Sequence, residues 1–271
     1  MESHLLLLFL ALILDRLVGD PPWLWSRLLH PVVVFGAGIS FFDRLLNRPS
    51  FSEGFRRVLG AVSIALLLLL SLTVGVLLHW IFASIGPMGF VGEVVIAAVF
   101  LAQRSLLDHV RAVAVGLRRD GLEGGRKAVS MIVGRDPAAL DEAGVTRAAL
   151  ESLSENFADG VVAPAFWYAV FGLPGLLAYK MLNTADSMIG HKSEKYLYFG
   201  WASARLDDLA NWPAARLSGL LIVAAAWVSG GTLAAKRCFS VMMCDHGLHR
   251  SPNSGWSEAA AAGALDVALA G

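Results

Sequence analysis

VLGAVSIALLLLLSLTVGVLLHWIFASI, residues 58–85, contains no Lys, Arg, Asp or Glu. At 1.5 Å per residue, a helix of this length crosses a hydrocarbon core of about 30 Å with some tilt. Arg56 and Arg57 stand just before it, and Gly86-Pro87-Met88-Gly89 just after it forms an uncharged turn. Residues 88–103 then read as a returning span. Arg104 follows, with seven more Lys or Arg up to Arg147. The excess of basic residues marks the cytoplasmic side and puts the Gly-Pro turn outside. The fold class that follows is all-α: a polytopic integral membrane protein with amphipathic helices on its cytoplasmic side.

Composition agrees. Of 271 residues, 56% are hydrophobic and only 16% charged, whereas about a quarter of residues are charged in soluble domains. The formal net charge is zero, which gives no reason to expect nucleic acid as a partner. Cys238 and Cys244 are too few for a disulfide framework. The opening MESHLLLLFLALILDRLVGD lacks a basic leader and a small-residue cleavage site, so it reads as a retained helix. Within it, 5–18 is a weaker span interrupted by Asp15 and Arg16. A further span is expected at 213–235, with Pro213 suited to a first helical turn. The terminal stretch 258–271 is Ala-rich and helical but short for a span. One membrane-embedded catalytic domain over 1–271 is expected, containing a cytoplasmic helical segment at 104–156.

In that segment Leu106, Leu107, Val110, Val113 and Leu117 recur at helical spacing. Asp136-Pro137 has the form of an N-cap followed by a first-turn proline, and Thr146 is a candidate cap for the helix that carries Glu151 and Glu155. Residues 160–179 are apolar but broken by Gly172-Leu173-Pro174-Gly175. A simple span there would separate the charged stretches on its two sides. A re-entrant helical hairpin keeps both on one face and is the expected arrangement, since broken backbone is tolerated where protein or a cavity surrounds it. No internal repeat is evident.

Charges near lipid cost insertion free energy, so the polar stretch 151–208 asks for a reason, and a reaction site at the membrane surface is the most economical one. Glu151, Glu155 and Asp159 are spaced i, i+4, i+8 with no Lys or Arg between them, and Asn156 adjoins. On one helix face they repel unless a cation intervenes, and hard oxygen ligands suit Mg²⁺ beside phosphates. A solvated acidic face has the same spacing. Asn183, Asp186 and Ser187 follow on one helix, as site residues or as caps at a membrane edge. His191, Lys192 and Lys195 are phosphate-binding candidates, or interfacial anchors together with Tyr196 and Tyr198. Arg205, Asp207 and Asp208 come next, with Arg205 and Asp208 spaced to pair. Arg216 either binds an anion or snorkels. Asp20 and His30 each precede a proline, which fixes them in non-helical backbone. Glu93, close to the outer turn, reads as interfacial. Cys244-Asp245-His246 with His249 is a loose zinc pattern without a fourth ligand. Ser251-Pro252-Asn253-Ser254-Gly255-Trp256 reads as a tight turn before a helix, whose N–H groups could face an anion. No phosphate-binding glycine loop or metalloprotease motif is present.

These polar blocks, in this order, resemble the membrane family of adenosylcobinamide-phosphate synthases, the CbiB/CobD type of cobalamin biosynthesis. The matching segments are DRLVGDPP with HPVVVFG, VGRDPAALDEAGVTRAALESLSENFADGVVAP, YKMLNTADSMIGHKSEKYLYFGWASARLDDLANWPAARL and SPNSGWSEAAAAGAL. The likeness covers nearly the whole chain from Asp15 onward. It implies a multi-pass enzyme of the inner membrane with a cytoplasmic active site. This ligase would join aminopropanol or its O-phosphate to the free propionate carboxyl of adenosylcobyric acid, forming an amide and consuming ATP.

On that reading the cofactors are ATP and Mg²⁺, and the corrinoid is substrate. Glu151, Glu155, Asp159 and Asp186 would hold Mg²⁺. Lys192, Arg205 and His191 would hold phosphate oxygens, and Asp207 or Asp208 would take a proton from the attacking amine. Asn156 belongs to the catalytic group, and Asn183, Ser187, Asp20, His30, Ser251 and Asn253 to substrate binding. Trp167, Tyr168, Tyr196, Tyr198 and Trp201 either flank the macrocycle or pack at the interface. Partners implied are the two substrates, the bilayer, and a second copy or other membrane enzymes of the pathway. Family members usually continue beyond the point corresponding to Gly271, so a last helix is expected there. With a plain span at 213–235, the Ser251 motif would face outside, away from ATP. A transporter and a membrane enzyme acting on a lipid phosphate are the rival readings.

Overall fold

A computed structural model describes residues 2–134 and 136–269. Every regular element among them is helical: α1 (Glu2–Val18), α2 (Pro22–Trp25), α3 (Pro31–Leu46), α4 (Glu53–Ser84), α5 (Pro87–Val99), α6 (Gln103–Val129), α7 (Glu142–Phe157), α8 (Ala163–Ile189), α9 (Trp201–Asp245) and α10 (Ser254–Leu265). Among the described residues, four stretches are long and apolar enough to cross a membrane: Glu53–Ser84, Pro87–Val129, Glu142–Ile189 and Trp201–Leu248. The chain is an all-α polytopic membrane protein.

Helix starts follow local chemistry. His30 caps α3, its Nδ1 accepting from the Val32 N–H at 3.2 Å, with Pro31 in the first turn. Ser52 caps α4. Asp141, not Thr146, caps α7: its carboxylate accepts from the Gly144 N–H at 2.7 Å, while Thr146 lies inside the helix and bonds back to the Glu142 carbonyl. Asp136 accepts from the Ala138 N–H, but the stretch 136–140 stays a turn and starts no helix.

One corner recurs. Gly86, Gly121, Gly172 and Gly231 have φ between 61° and 73° with ψ between −136° and −169°, a region essentially closed to residues with a Cβ. At the first three the sequence is G-x-x-G: GPMG, GLEG, GLPG. The second glycine lets the returning helix lie on the outgoing backbone. Gly89 sits against the Phe82 carbonyl, Gly124 against the Gly116 carbonyl and Gly175 against the Trp167 carbonyl. Residues seven or eight apart on a straight helix are about 10–12 Å distant, so these contacts mean reversal. The hairpin expected at Gly172 is therefore present. A repeat thus exists at the level of a corner.

The same corner changes the reading of 213–235. α9 folds back at Gly231: a Cβ on Gly219 would lie 2.6 Å from the Met242 sulfur, and Ala226 shares a core with Cys238, Met242 and Ala260. Residues 213–235 are not one straight span. The two arms end side by side, and the Ser251 turn returns to the end where Pro213 began.

The chain packs as two compact units. The first comprises the residues up to Leu101 together with Pro164–Ala210; the second comprises Ala102–Ala163 and the residues from Asn211 onward. In the first unit, Leu7 and Ala11 of α1 pack on Val94 and Ala97 of α5 and on Tyr168, Leu173 and Leu176 of α8. A neighbouring core joins Ile39, Ile64, Leu67, Met181, Ala185 and Phe199. Helices in lipid associate by close packing, and Gly75 shows it: a Cβ there would lie 2.5 Å from the Pro174 Cα. In the second unit, Val113 and Val129 from the two arms of α6 enclose Val145, Ala148 and Ala149 of α7.

Candidate functional site

The polar residues read from sequence fall into both units. Glu151, Glu155, Asn156, Asp159, Ser251 and Asn253 belong to the second; Asp20, His30, Asn183, Asp186, Ser187, His191, Lys192, Arg205, Asp207 and Asp208 belong to the first.

In the second unit, Glu151, Glu155 and Asn156 ride on α7. The helix does persist to Asp159, but it widens into a π turn over Ala158–Val162. A π turn inserts an extra residue per turn and is frequent at functional sites, so simple i, i+8 spacing no longer places Asp159 beneath Glu155. Asn156 Nδ2 donates to the Ser152 carbonyl at 2.8 Å, and Ser152 Oγ donates to the Ile132 carbonyl, which ties the helix to the preceding loop.

Ahead of α10, Ser251 N–H donates to His249 Nδ1 at 3.0 Å, and Ser251 Oγ accepts from the Asn253 and Ser254 N–H groups. The Ser251, Asn253 and Ser254 amides are thus engaged within the turn itself. Ser254 Oγ donates to Glu155 Oε1 at 3.3 Å, joining α10 to α7.

Glu258, one turn further on, was not among the residues singled out from sequence. It is 6% exposed, and His249 Nε2 stands 3.6 Å from its Oε1. Burial, with the charges of Glu155 and Glu151, pushes its carboxyl up to about 7. The signal available in sequence was a lone carboxylate in the run SEAAAAGAL.

In the first unit, Asn183, Asp186 and Ser187 lie on the last turns of α8, with Ser187 Oγ donating to the Asn183 carbonyl. Gly190 leaves room for the Asp186 carboxylate, and Gly200 lets the loop close on the Ile189 carbonyl. Residues 190–200 between them form a tied-down loop. Lys195 Nζ donates to Asp43 Oδ2 at 2.7 Å and to the Tyr196 hydroxyl at 2.8 Å. The first of these bonds is the larger cause holding the lysine above its ordinary value. Asn47 Nδ2 donates to Asp43 Oδ1 and to the Lys195 carbonyl, and Arg56 donates to Asn47 Oδ1 and to that same carbonyl. Tyr198 donates to Glu53, and Arg57 stacks on Trp201 at 5.0 Å.

Lys195 and the two tyrosines are therefore struts that hold the loop, which leaves His191 and Lys192 exposed on it. Lys192 and Arg205 both act electrostatically on Asp208, Arg205 from 3.9 Å. Asp207 is buried. Asp20 and His30 meet each other, 3.6 Å apart, with the Trp25 indole N–H on Asp20.

Other candidates resolve into packing. Glu93 is not interfacial: it is 4% exposed, accepts from the Tyr168 hydroxyl at 2.9 Å and lies 3.0 Å from His79 Nδ1. Arg216 is sandwiched between Trp212 and Trp256, at 4.0 and 4.7 Å. Trp167 donates to the Ala210 carbonyl and Tyr168 is fully buried. Cys244 is exposed and His246 lies against Trp256. Among the described residues no group of three or more His, Cys, Asp or Glu side chains is arranged to hold a metal ion. The carboxylates therefore make no all-protein cage. Glu151 and Glu155 stand one helical turn apart on α7, with Ser254 bonded to Glu155.

Comparison with known proteins is consistent over almost the whole chain. The family model described as CobD/Cbib protein matches residues 8–271. A Sinorhizobium protein named cobalamin biosynthesis protein CobD is 68% identical over 270 residues, covering 100% of this chain and 84% of its own length. The protein of the same name from Rhizobium meliloti (strain 1021) is 66% identical, covering 98% of this chain and 82% of its own. A Rhodobacter capsulatus protein of that name is 46% identical, with 98% and 81% covered. No solved structure matches the chain.

Proposed function

As the chain belongs to the CobD/Cbib protein family, we propose that it takes part in cobalamin biosynthesis by joining aminopropanol, or its O-phosphate, to the propionate carboxyl of adenosylcobyric acid at the expense of ATP. The observation that carries the reading is the family match over residues 8–271, with 68% identity to a relative named for that pathway. In support, the unabsorbed polar side chains stand outside the apolar cores, on α7, the 190–200 loop and the α10 turn.

The chemistry starts with a carboxylate oxygen attacking the terminal phosphorus of ATP, which releases ADP. The amine nitrogen then attacks the acyl carbon; phosphate leaves with the carboxyl oxygen, and Asp207 or Asp208 takes the proton that the nitrogen gives up. Such steps rest on positioning and charge neutralisation. Lys192, with His191 and Arg205, supplies point charges for phosphate oxygens from a loop that the Asp43–Lys195 bond keeps in place. Glu151 and Glu155 of the second unit would hold Mg²⁺, and the ion would supply neutralisation of phosphate charge. The enzyme works in the inner membrane with these groups on the cytoplasmic side.

Substrate labelled with ¹⁸O in the propionate carboxyl tests the step order. One labelled oxygen should appear in inorganic phosphate, alongside ADP. Label appearing in AMP would sink the acyl-phosphate route.

A further inference from the structure

A cavity of about 400 Å³ opens in the second unit, between the returning arm of α9 and α10. Glu258 and His249 form one side of it, Asp245 and Asp266 stand at its edge, and Val241 and Ala262 give apolar wall. Asp266 is already committed to Arg237, 2.9 Å away. Glu258 is different. It is more than nine-tenths buried, none of the described residues hydrogen-bonds to its carboxylate, and its one ion-pair partner is the His249 imidazole at 3.6 Å. Because His249 Nδ1 accepts from Ser251, its Nε2–H is what faces Glu258, and at 3.6 Å it is a distant donor; a buried carboxylate so poorly satisfied is costly unless a closer donor reaches it.

The cavity says what that something is. Acidic groups on its wall disfavour an anion such as phosphate. The described side chains provide no set of three metal ligands there or elsewhere. A small organic ammonium ion fits: its N–H groups reach Glu258, and a short hydrocarbon tail meets Val241 and Ala262. Resting on the ligase reading above, we propose that this cavity is the subsite for the amine co-substrate, with Glu258 receiving the ammonium group and Asp245 drawing it in.

The test is direct binding, separate from turnover. Aminopropanol and its O-phosphate are titrated by calorimetry into the detergent-purified protein, with propane-1,2-diol as the uncharged analogue. Wild type should bind aminopropanol, should bind its anionic O-phosphate more weakly, and should not bind the diol. Glu258→Gln should weaken amine binding at least about tenfold and leave adenosylcobyric acid binding within about twofold. Asp245→Asn, at an exposed position where folding is not at stake, should weaken amine binding about threefold. Wild-type protein that binds no amine, or binds the diol equally well, would overturn the subsite. So would amine affinity unchanged in both variants, or corrinoid and amine affinity lost in parallel. If Glu258→Gln does not fold, Asp245→Asn and the diol comparison decide. Failure of the ligase reading looks different: wild type would bind the amine through Glu258 but make no amide with ATP and corrinoid. Conversely, amide formation with the KM for amine unchanged in Glu258→Gln would keep the ligase and remove the subsite.

Discussion

At the scale of the residue, the second unit concentrates unlike-behaving carboxylates within a short distance. Glu155 is exposed and bonded by Ser254, whereas Glu258 is buried beside His249. Glu155→Ala should cut turnover at least about 100-fold with membrane insertion and monodispersity intact; near-normal turnover would remove Glu155 from the site. Glu258 gives a prediction about pH. Its carboxyl is lifted from its ordinary 4.5 to about 7 by burial and by Glu155 and Glu151. The fold therefore holds this proton more tightly than the unfolded chain. Its stabilisation is fully present below about pH 4.5 and is lost as pH rises through 7; the gap is worth about 3 kcal/mol. Wild-type Tm should fall across that window more steeply than the Tm of Glu258→Gln. Parallel curves for the two proteins would mean that Glu258 titrates normally. In the first unit, Asp43→Asn removes the charge that pairs with Lys195. The cost in stability is on the order of 1 kcal/mol, because the lysine is largely exposed. The sharper readout is tryptic cleavage at Lys192, which should accelerate several-fold as the loop loosens.

At the scale of the element, the glycine corner is the recurring device. Gly121→Ala meets no atom within 4 Å but must adopt φ near 66°, so it should cost about 1–3 kcal/mol through backbone strain alone. Gly54→Ala, with open space and ordinary helical backbone, should be neutral or slightly stabilising. Equal thermal shifts in the two variants would contradict the corner. This device also marks what could be read from sequence. The uncharged run 58–85, the Gly-Pro turn and the Gly172 break showed themselves because hydropathy and turn chemistry are local. They correspond to α4 (Glu53–Ser84), the Gly86 corner and the bend in α8. The fold-back at Gly231 did not: Gly230-Gly231 is a local break signal, but it lacks the second glycine of the other corners and the proline of two of them, and the proof is the contact of Gly219 with Met242. Glu93 was misplaced for the same reason: its burial depends on His79 and Tyr168, partners far along the chain. Glu258 needed the packing of α10 to distinguish it from any other surface carboxylate. Asp20 and His30 had their non-helical backbone right, yet their closest partners are each other and Trp25, a helix-start cluster not signalled by spacing.

At the scale of the whole molecule, the fold-back of α9 fixes which segments share a side of the membrane. Trp212, near its start, and Cys244, near its end, must both face the same compartment. Cys244 is exposed and Cys238 buried, so a membrane-impermeant maleimide should label Cys244 and a Trp212→Cys variant from one side only, and from the same side. Labelling from opposite sides would restore a straight span at 213–235 and carry the Ser251 turn and the amine cavity away from the cytoplasm. The proposed function stands or falls on a single reaction. Purified protein in detergent is given adenosylcobyric acid, aminopropanol phosphate, Mg²⁺ and ATP, and the corrinoid is weighed by mass spectrometry. The proposed function predicts a corrinoid heavier by the amine less one water, formed only with ATP, with one ADP per amide, and abolished by chelation. Unchanged corrinoid from folded protein that binds both substrates would contradict it.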